Sequence, residues 1–246
     1  MTSTPYDAIA RRYDNAIGDR TADRLYLAGI LERNGATQGD LLELACGTGE
    51  MLLSLRESFR LTGLDRSAAM IDEARRKLPD ATFIEADMRS FETGRCYDVI
   101  LLLFNSLNQV PDANDWDLVF RRAAGHLRPN GLFVLELNMP AKLERLAGAP
   151  ARYHTGGRDH YIMEVVRLDR PGPIAVDMHI RIFTPASPDR YELLAETIHE
   201  IALEADAVRG KLARQFDEIE VRDRQAGSDP ADARTEVAFF ICRKPG

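Results

Sequence analysis

Five short apolar runs in the first 140 residues, separated by turns and helical stretches, set the limits on how this chain folds. They are Asp40–Ala45, Arg60–Leu64, Ala81–Glu85, Asp98–Phe104 and Leu132–Leu137, and the first three run out into Gly47, Asp65 and Asp87. The fourth, DVILLLF, is apolar at every position after Asp98, as a strand covered on both faces must be. Between the runs, Met51–Leu55 has helical character. SAAMIDEARRKL places Met70, Ile71, Ala74 and Leu78 on one helical face behind Ser67 as N-cap, and DANDWDLVFRRAAGHL gathers Trp116, Val119 and Phe120. Strands alternating with helical crossovers predict an α/β fold with a doubly wound, mostly parallel sheet.

Past residue 150 the pattern changes. Val176–Ile182 alternates strictly between apolar and polar residues, which predicts an antiparallel strand with one face open. Tyr161–Leu168 and Tyr191–Leu203 read as its neighbours across the turn signals DRPGP and TPASPD, although Leu193, Leu194, Ile198 and Ile201 also fit a helical period. Glu204–Gln215 reads as helix, and Glu218–Arg222 and Val237–Cys242 as a last strand pair. Three regions are therefore expected: a core over 1–150, an inserted antiparallel β-platform over 151–203, and a helix with a strand pair over 204–246 that returns to the core sheet. With 45% hydrophobic residues the chain has ample material for a core.

In an open α/β sheet, ligands sit at the carboxyl ends of the strands. Gly47 and Gly49 allow a tight turn there and leave room for a ligand against bare backbone, next to a helix N-terminus. Asp65, at the end of the next strand, is placed to accept both hydroxyls of a ribose, and Asp87 follows where an adenine amino group comes next. Each feature alone fits an ordinary turn; in strand order they point to a nucleoside. A dinucleotide asks for a third glycine, and Leu52 stands in its place. Glu43, four residues before Gly47, suits an ammonium group and has no use beside a pyrophosphate.

LLELACGTGE, LTGLDRSAAMIDEAR, IEADMRSF and DVILLLFNSLNQV resemble, in order and spacing, the binding motifs of class I S-adenosylmethionine (SAM)-dependent methyltransferases, and HLRPNGLFVLELN resembles the strand that follows there. The resemblance covers roughly residues 6–140 and implies a Rossmann-like core. It implies that Glu43, Ala45, Gly47 and Gly49 surround the methionine part of SAM. Asp65 then takes the ribose, Met70 packs near the adenine, Asp87 and Met88 hold the adenine edge, and Phe104 and Asn105 lie by the sulfonium and its methyl. YDAIARRYD resembles the N-terminal lid of small-molecule members, with Tyr13 closing over SAM. The inserted sheet is similar in layout to the platform of sugar-amine N-methyltransferases and natural-product relatives, where it roofs the acceptor site and often builds a homodimer.

The resemblance thus implies methyl transfer to a nitrogen or oxygen of a small organic acceptor. A modified tRNA nucleoside is an alternative acceptor, and a SAM-binding protein without chemistry is another reading. A net charge of −7 argues against a nucleic-acid partner. A hydroxyl acceptor asks for a general base; His179 on the polar face of its strand, His154, His160 and His199 are the candidate bases, Asn105 after the fourth strand is a further catalytic candidate, and Tyr153 and Tyr161 are available to line a pocket. No close-spaced acidic or histidine cluster predicts a metal. The three cysteines, Cys46, Cys96 and Cys242, are too scattered for a disulfide framework or a zinc site. The opening residues lack the apolar core of a signal peptide and no run suits a membrane span, so a cytoplasmic protein is expected.

Overall fold

The computed structural model describes residues 4–225 and 231–246. Residues 1–3 and 226–230, which belong to the first and third expected regions, lie outside the described residues. The predicted runs become parallel strands β1 (Gly39–Leu44), β2 (Phe59–Asp65), β3 (Thr82–Glu85), β4 (Tyr97–Leu102) and β5 (Leu127–Asn138). Two more, β10 (Glu218–Asp223) and β11 (Val237–Arg243), join antiparallel beyond β5, giving the order β10-β11-β5-β4-β1-β2-β3. The order reverses between β1 and β4, so the crevice that such a sheet offers a ligand lies at their carboxyl ends.

Alternate residues of each central strand feed two cores. Leu42, Ile100, Leu102, Phe133, Leu135 and Phe240 pack with α4 (Trp116–His126) and α6 (Ala205–Leu212) on one face. Leu41, Val99, Leu101, Val134 and Phe239 pack with α2 (Thr21–Arg33) and α3 (Ala68–Lys77) on the other. Covering on both faces is why these strands are continuously apolar, and truncating one of them, such as Phe133→Ala, costs about 3–5 kcal/mol. At the amino end of β1, Asp40 is only 1% exposed and takes ion pairs from Arg60, Arg95 and Arg128; the hydrogen bonds of Arg60 and then Arg128 hold its carboxyl well below the usual range. That acid fastens the end of the sheet remote from the crevice.

A separate sheet has the order β6-β7-β8-β9: β6 (Arg152–Gly156), β7 (Asp159–Arg167), β8 (Ile174–Ser187) and β9 (Arg190–Ala202). β9 settles the two-period ambiguity as strand, since it pairs with β8 along nearly its full length. β6, which was not predicted as a strand from the sequence, turns through Gly157 (φ 60°) into β7. The face of this sheet turned inward is the apolar one. Ile180 and Ile182 pack on α1 (Pro5–Ile17), and Val176 and Met178 pack on α5 (Pro140–Ala147).

Candidate active site

The loop after β1 departs from expectation in one respect. No α-helix follows it; a four-residue 3-10 turn, Leu52–Leu55, does. The segment therefore brings little macrodipole, and the work falls on backbone geometry and on Asp65. Ala45 (φ 53°) and Gly47 (φ 52°) are both left-handed; the Cys46 N–H ties the loop to β2 by donating to Leu64 O at 2.9 Å, and the turn is closed by the Gly49 N–H donating to Cys46 O at 2.9 Å. A Cβ on Gly47 would meet nothing within 4 Å, because that side faces a cavity of about 260 Å³. Gly49 (φ 73°) has another job: a Cβ there would come within 3.3 Å of Ala74 Cβ, so this glycine lets the loop pack on α3 and does not line the cavity.

Asp65 ends β2 and ties both walls of the site together. Its Oδ2 accepts the Gly47 N–H and its Oδ1 the Ser67 N–H, each at 2.9 Å. Burial pushes its carboxyl up, opposed by those two backbone donors. Ser67 in turn caps α3 by accepting from the Met70 N–H at 3.1 Å. Ala45, Gly47, Asp65, Met70, Asp87, Met88, Phe104 and Tyr13 all line the same cavity. Asp87 is clasped by the Arg89 guanidinium, which lowers its pKa and keeps it ionised.

Glu43 stands behind the loop, 2% exposed, with Oε2 bonded to no group among the described residues. Burial, and then the charge of Asp65, push its carboxyl up to about 8. Arg20 presents the opposite case. Its guanidinium lies 4.4 Å from the centre of the Phe104 ring, it shares Tyr13 with Glu43 as an electrostatic neighbour, its Nη1 pairs with Asp23 at 3.1 Å, and its buried Nε has no acceptor among the described residues. No local pattern marks Arg20 in the sequence. Tyr6 also lines the cavity, seven residues and two helical turns before Tyr13, with its ring 5.9 Å from that of Tyr13 and its hydroxyl accepting from Gln109.

The helix α1 closes the cavity from above. Asp14 accepts from Thr48 Oγ1 at 2.6 Å within the glycine loop, and Asp7 accepts from Ser67 Oγ beside Asp65. Lys77 adds an ion pair to Asp14 and another to Glu50.

The histidines expected as bases lie elsewhere. His179 is on the sheet face opposite Ile180 and Ile182, with Nδ1 3.0 Å from Thr197 Oγ1; its neighbours Arg181 and Asp177 pair with Glu164 and His199. His154 stacks on Tyr161 at 4.7 Å and donates through Nε2 to Ala16 O. Tyr153 is 63% exposed and stacks on His160, whereas Tyr161 is packed against α1. None of these residues lines the cavity: the apolar face of the sheet turns toward α1 and His179 away from it, and His154 and Tyr161, on the inward face, are spent on contacts with α1. Asn105 is withheld from it too: Nδ2 donates to the buried Glu200 on β9. Among the described residues no cluster of His, Cys, Asp and Glu suits a metal ion, and no helix is long and apolar enough to cross a membrane.

The profile of a family described as a methyltransferase domain matches residues 41–131. The dTDP-3-amino-3,6-dideoxy-alpha-D-glucopyranose N,N-dimethyltransferase of Streptomyces fradiae is 37% identical over 180 residues, 72% of this chain and 69% of that protein. The chain belongs to the SAM-dependent methyltransferases. A dTDP-3-amino-3,4,6-trideoxy-alpha-D-glucopyranose N,N-dimethyltransferase of Streptomyces venezuelae is 33% identical over 119 residues, 48% of this methyltransferase and 50% of that one. Two solved structures share the fold over nearly their whole length. One is a SAM-dependent methyltransferase of Clostridium acetobutylicum (TM-score 0.83, 23% identity, 99% of this chain and 100% of that one). The other is a sugar N-methyltransferase of Streptoalloteichus (TM-score 0.76, 22% identity, 100% and 95%). The methyltransferase is thus an enzyme with SAM as methyl donor and a small organic molecule as acceptor. Its residues fit that donor: a zwitterionic amino acid needs one anion and one cation, and Glu43 Oε2 behind the loop and Arg20 Nε beside Phe104 are among the buried atoms left without a hydrogen-bond partner among the described residues.

Proposed function

We propose that this enzyme methylates the amino nitrogen of an amino sugar or a similar small amine. The observation that carries the reading is the 37% identity, over 72% of the chain, to a protein whose named acceptor is an amino sugar. SAM supplies an electrophilic methyl on a cationic sulfur. The chain's own part is to hold donor and acceptor in line and to keep water out. In our reading Asp65 accepts the ribose hydroxyls, Asp87 and Met88 border the adenine, and Met70 and Tyr13 pack over it. Glu43 faces the ammonium and Arg20 the carboxylate of the methionine half. Phe104 and the backbone at Asn105 border the methyl. Gly47 gives the loop its close approach, and α1, held by Asp7 and Asp14, excludes water.

An amine in its neutral form brings its own lone pair and needs no base on the enzyme to attack, which suits a cavity that none of the predicted histidines lines. The regions 1–150, 151–203 and 204–246 then serve as donor site, acceptor-side cover and completion of the core sheet. Tyr153, Tyr191 and Leu193, all more than half exposed on the platform, support self-association through that sheet. The test offers radiolabelled SAM with dTDP-3-amino-3,6-dideoxyglucose, or with its 3-hydroxy counterpart. Label is expected in the amine alone; label in the hydroxy sugar with the amine inert would overturn the nitrogen assignment.

A further inference from the structure

The end of β4 carries two consecutive non-glycine residues in the left-handed region, Phe104 (φ 53°) and Asn105 (φ 52°). Such a pair persists only where its surroundings hold it. Two buried carboxylates do so, and they come from different sheets. Glu136 of β5, 6% exposed, accepts the Phe104 N–H through Oε2 at 3.0 Å. Glu200 of β9, fully buried, accepts from Asn105 Nδ2 through Oε1 and from Asn138 Nδ2 through Oε2 at 2.9 Å. Asn138 closes the network. Its N–H donates to Asn108 Oδ1 at 3.1 Å, and Asn108 Nδ2 donates to Asn138 O at 2.9 Å and to Ile201 O at 2.8 Å.

We propose that Glu200 is a positioning residue for methyl transfer, acting through Asn105. Asn105, which it holds, is flanked by the cavity-lining residues Phe104 and Ser106. Both hydrogen-bond partners of the Glu200 carboxylate among the described residues are side-chain amides. A carboxylate suits this place because both of its partners are NH₂ donors, and only an anion accepts on both oxygens without presenting a donor of its own. Through Glu200 the platform reaches under the reacting edge of the cavity and fixes the backbone there, while His179 faces away. Docking the platform and shaping the methyl side of the cavity are then a single event. The proposal rests on the reading above that Phe104 and Asn105 border the methyl of SAM.

The test uses the full chain with SAM carrying a ¹³C methyl, so that it needs no acceptor. Wild-type protein is expected to give one sharp bound-methyl resonance. Glu200→Ala is expected to shift or split that resonance, with the dissociation constant for SAM held within about threefold because donor contacts elsewhere are untouched. Asn105→Gly, which keeps the left-handed backbone but lacks the amide, should give the same spectral change, and the double variant should change nothing further. With an amine substrate, kcat should fall about tenfold or more in each single variant and no more in the double. Glu200→Gln turns one oxygen into a donor and should give a partial shift; it and Asn105→Gly carry the test if Glu200→Ala does not fold. An unchanged resonance in folded Glu200→Ala or Glu200→Gln, or single-variant losses that multiply in the double, would overturn the proposal. Absence of any bound-methyl signal in the wild type would instead refute the donor reading.

Discussion

Glu43→Gln tests the electrostatics of the site through a proton count. The Glu43 carboxyl, pushed up to about 8 by burial, is protonated in the ligand-free protein at pH 6.5. An ammonium brought against Oε2 favours the ionised form, so donor binding must expel that proton. With a pKa of about 8, roughly one proton leaves per SAM bound at pH 6.5, where the amine of free SAM is already protonated. Isothermal titration in two buffers of different ionisation enthalpy reads the count directly. The Glu43→Gln variant keeps the shape but has no proton to release, so its binding heat should not depend on the buffer. Loss of one charge-assisted bond should weaken binding by about 1.5–3 kcal/mol, roughly 10- to 150-fold. The same group sets a stability trend without ligand. The folded state holds a proton that the unfolded chain gives up near its ordinary value of 4.5, so Glu43's contribution to stability declines as pH rises from about 4.5 through about 8. Thermal melts of the variant should show that decline flattened. Buffer-independent heat in the wild type, or equal buffer dependence in the variant, would refute the reasoning.

Asp65→Ala should weaken SAM by about 1.5–3 kcal/mol in titration calorimetry and also lower the melting temperature, since the Gly47 and Ser67 N–H groups lose their acceptor. Gly47→Val should abolish SAM binding with only modest loss of fold, because its Cβ points into open cavity; Gly49→Val should chiefly destabilise, because its Cβ meets Ala74, and the two are separated by comparing melts with binding. His179→Ala and His154→Ala should leave kcat/KM for an amine acceptor within about twofold of wild type, and a loss of tenfold or more in either would return that histidine to the site.

What the sequence made legible follows from the range of the interactions. Strand positions and the residues at their ends, Gly47, Asp65 and Asp87, are local features of a two-face-buried parallel sheet, and they line one cavity as their order suggested. Alternation in Val176–Ile182 announced a strand with two unlike faces but carried no information on which face turns inward; α1 and α5 decide that, and they place His179 outside. Neither α5, which is only eight residues long, nor α2, which has almost no apolar stripe, was predicted from the sequence. Glu200 and Glu136 were invisible as site residues because their partners lie 95 and 32 positions away, and an acid in a strand has no local mark for such a role. Arg20 reaches Phe104 across the fold, and its unpartnered Nε is a property of packing alone.

A crystal structure of the complex with the demethylated product of SAM measures the central claim most directly. The adenosine should lie between Asp65, Met70 and Asp87, with both ribose hydroxyls on the Asp65 carboxylate. The amino-acid end should have its ammonium on Glu43 Oε2 and its carboxylate toward Arg20, and the sulfur should point at the Phe104–Asn105 turn. A nucleoside bound outside this cavity, or one inside it with its amino-acid end directed away from Glu43 and Arg20, would contradict the account.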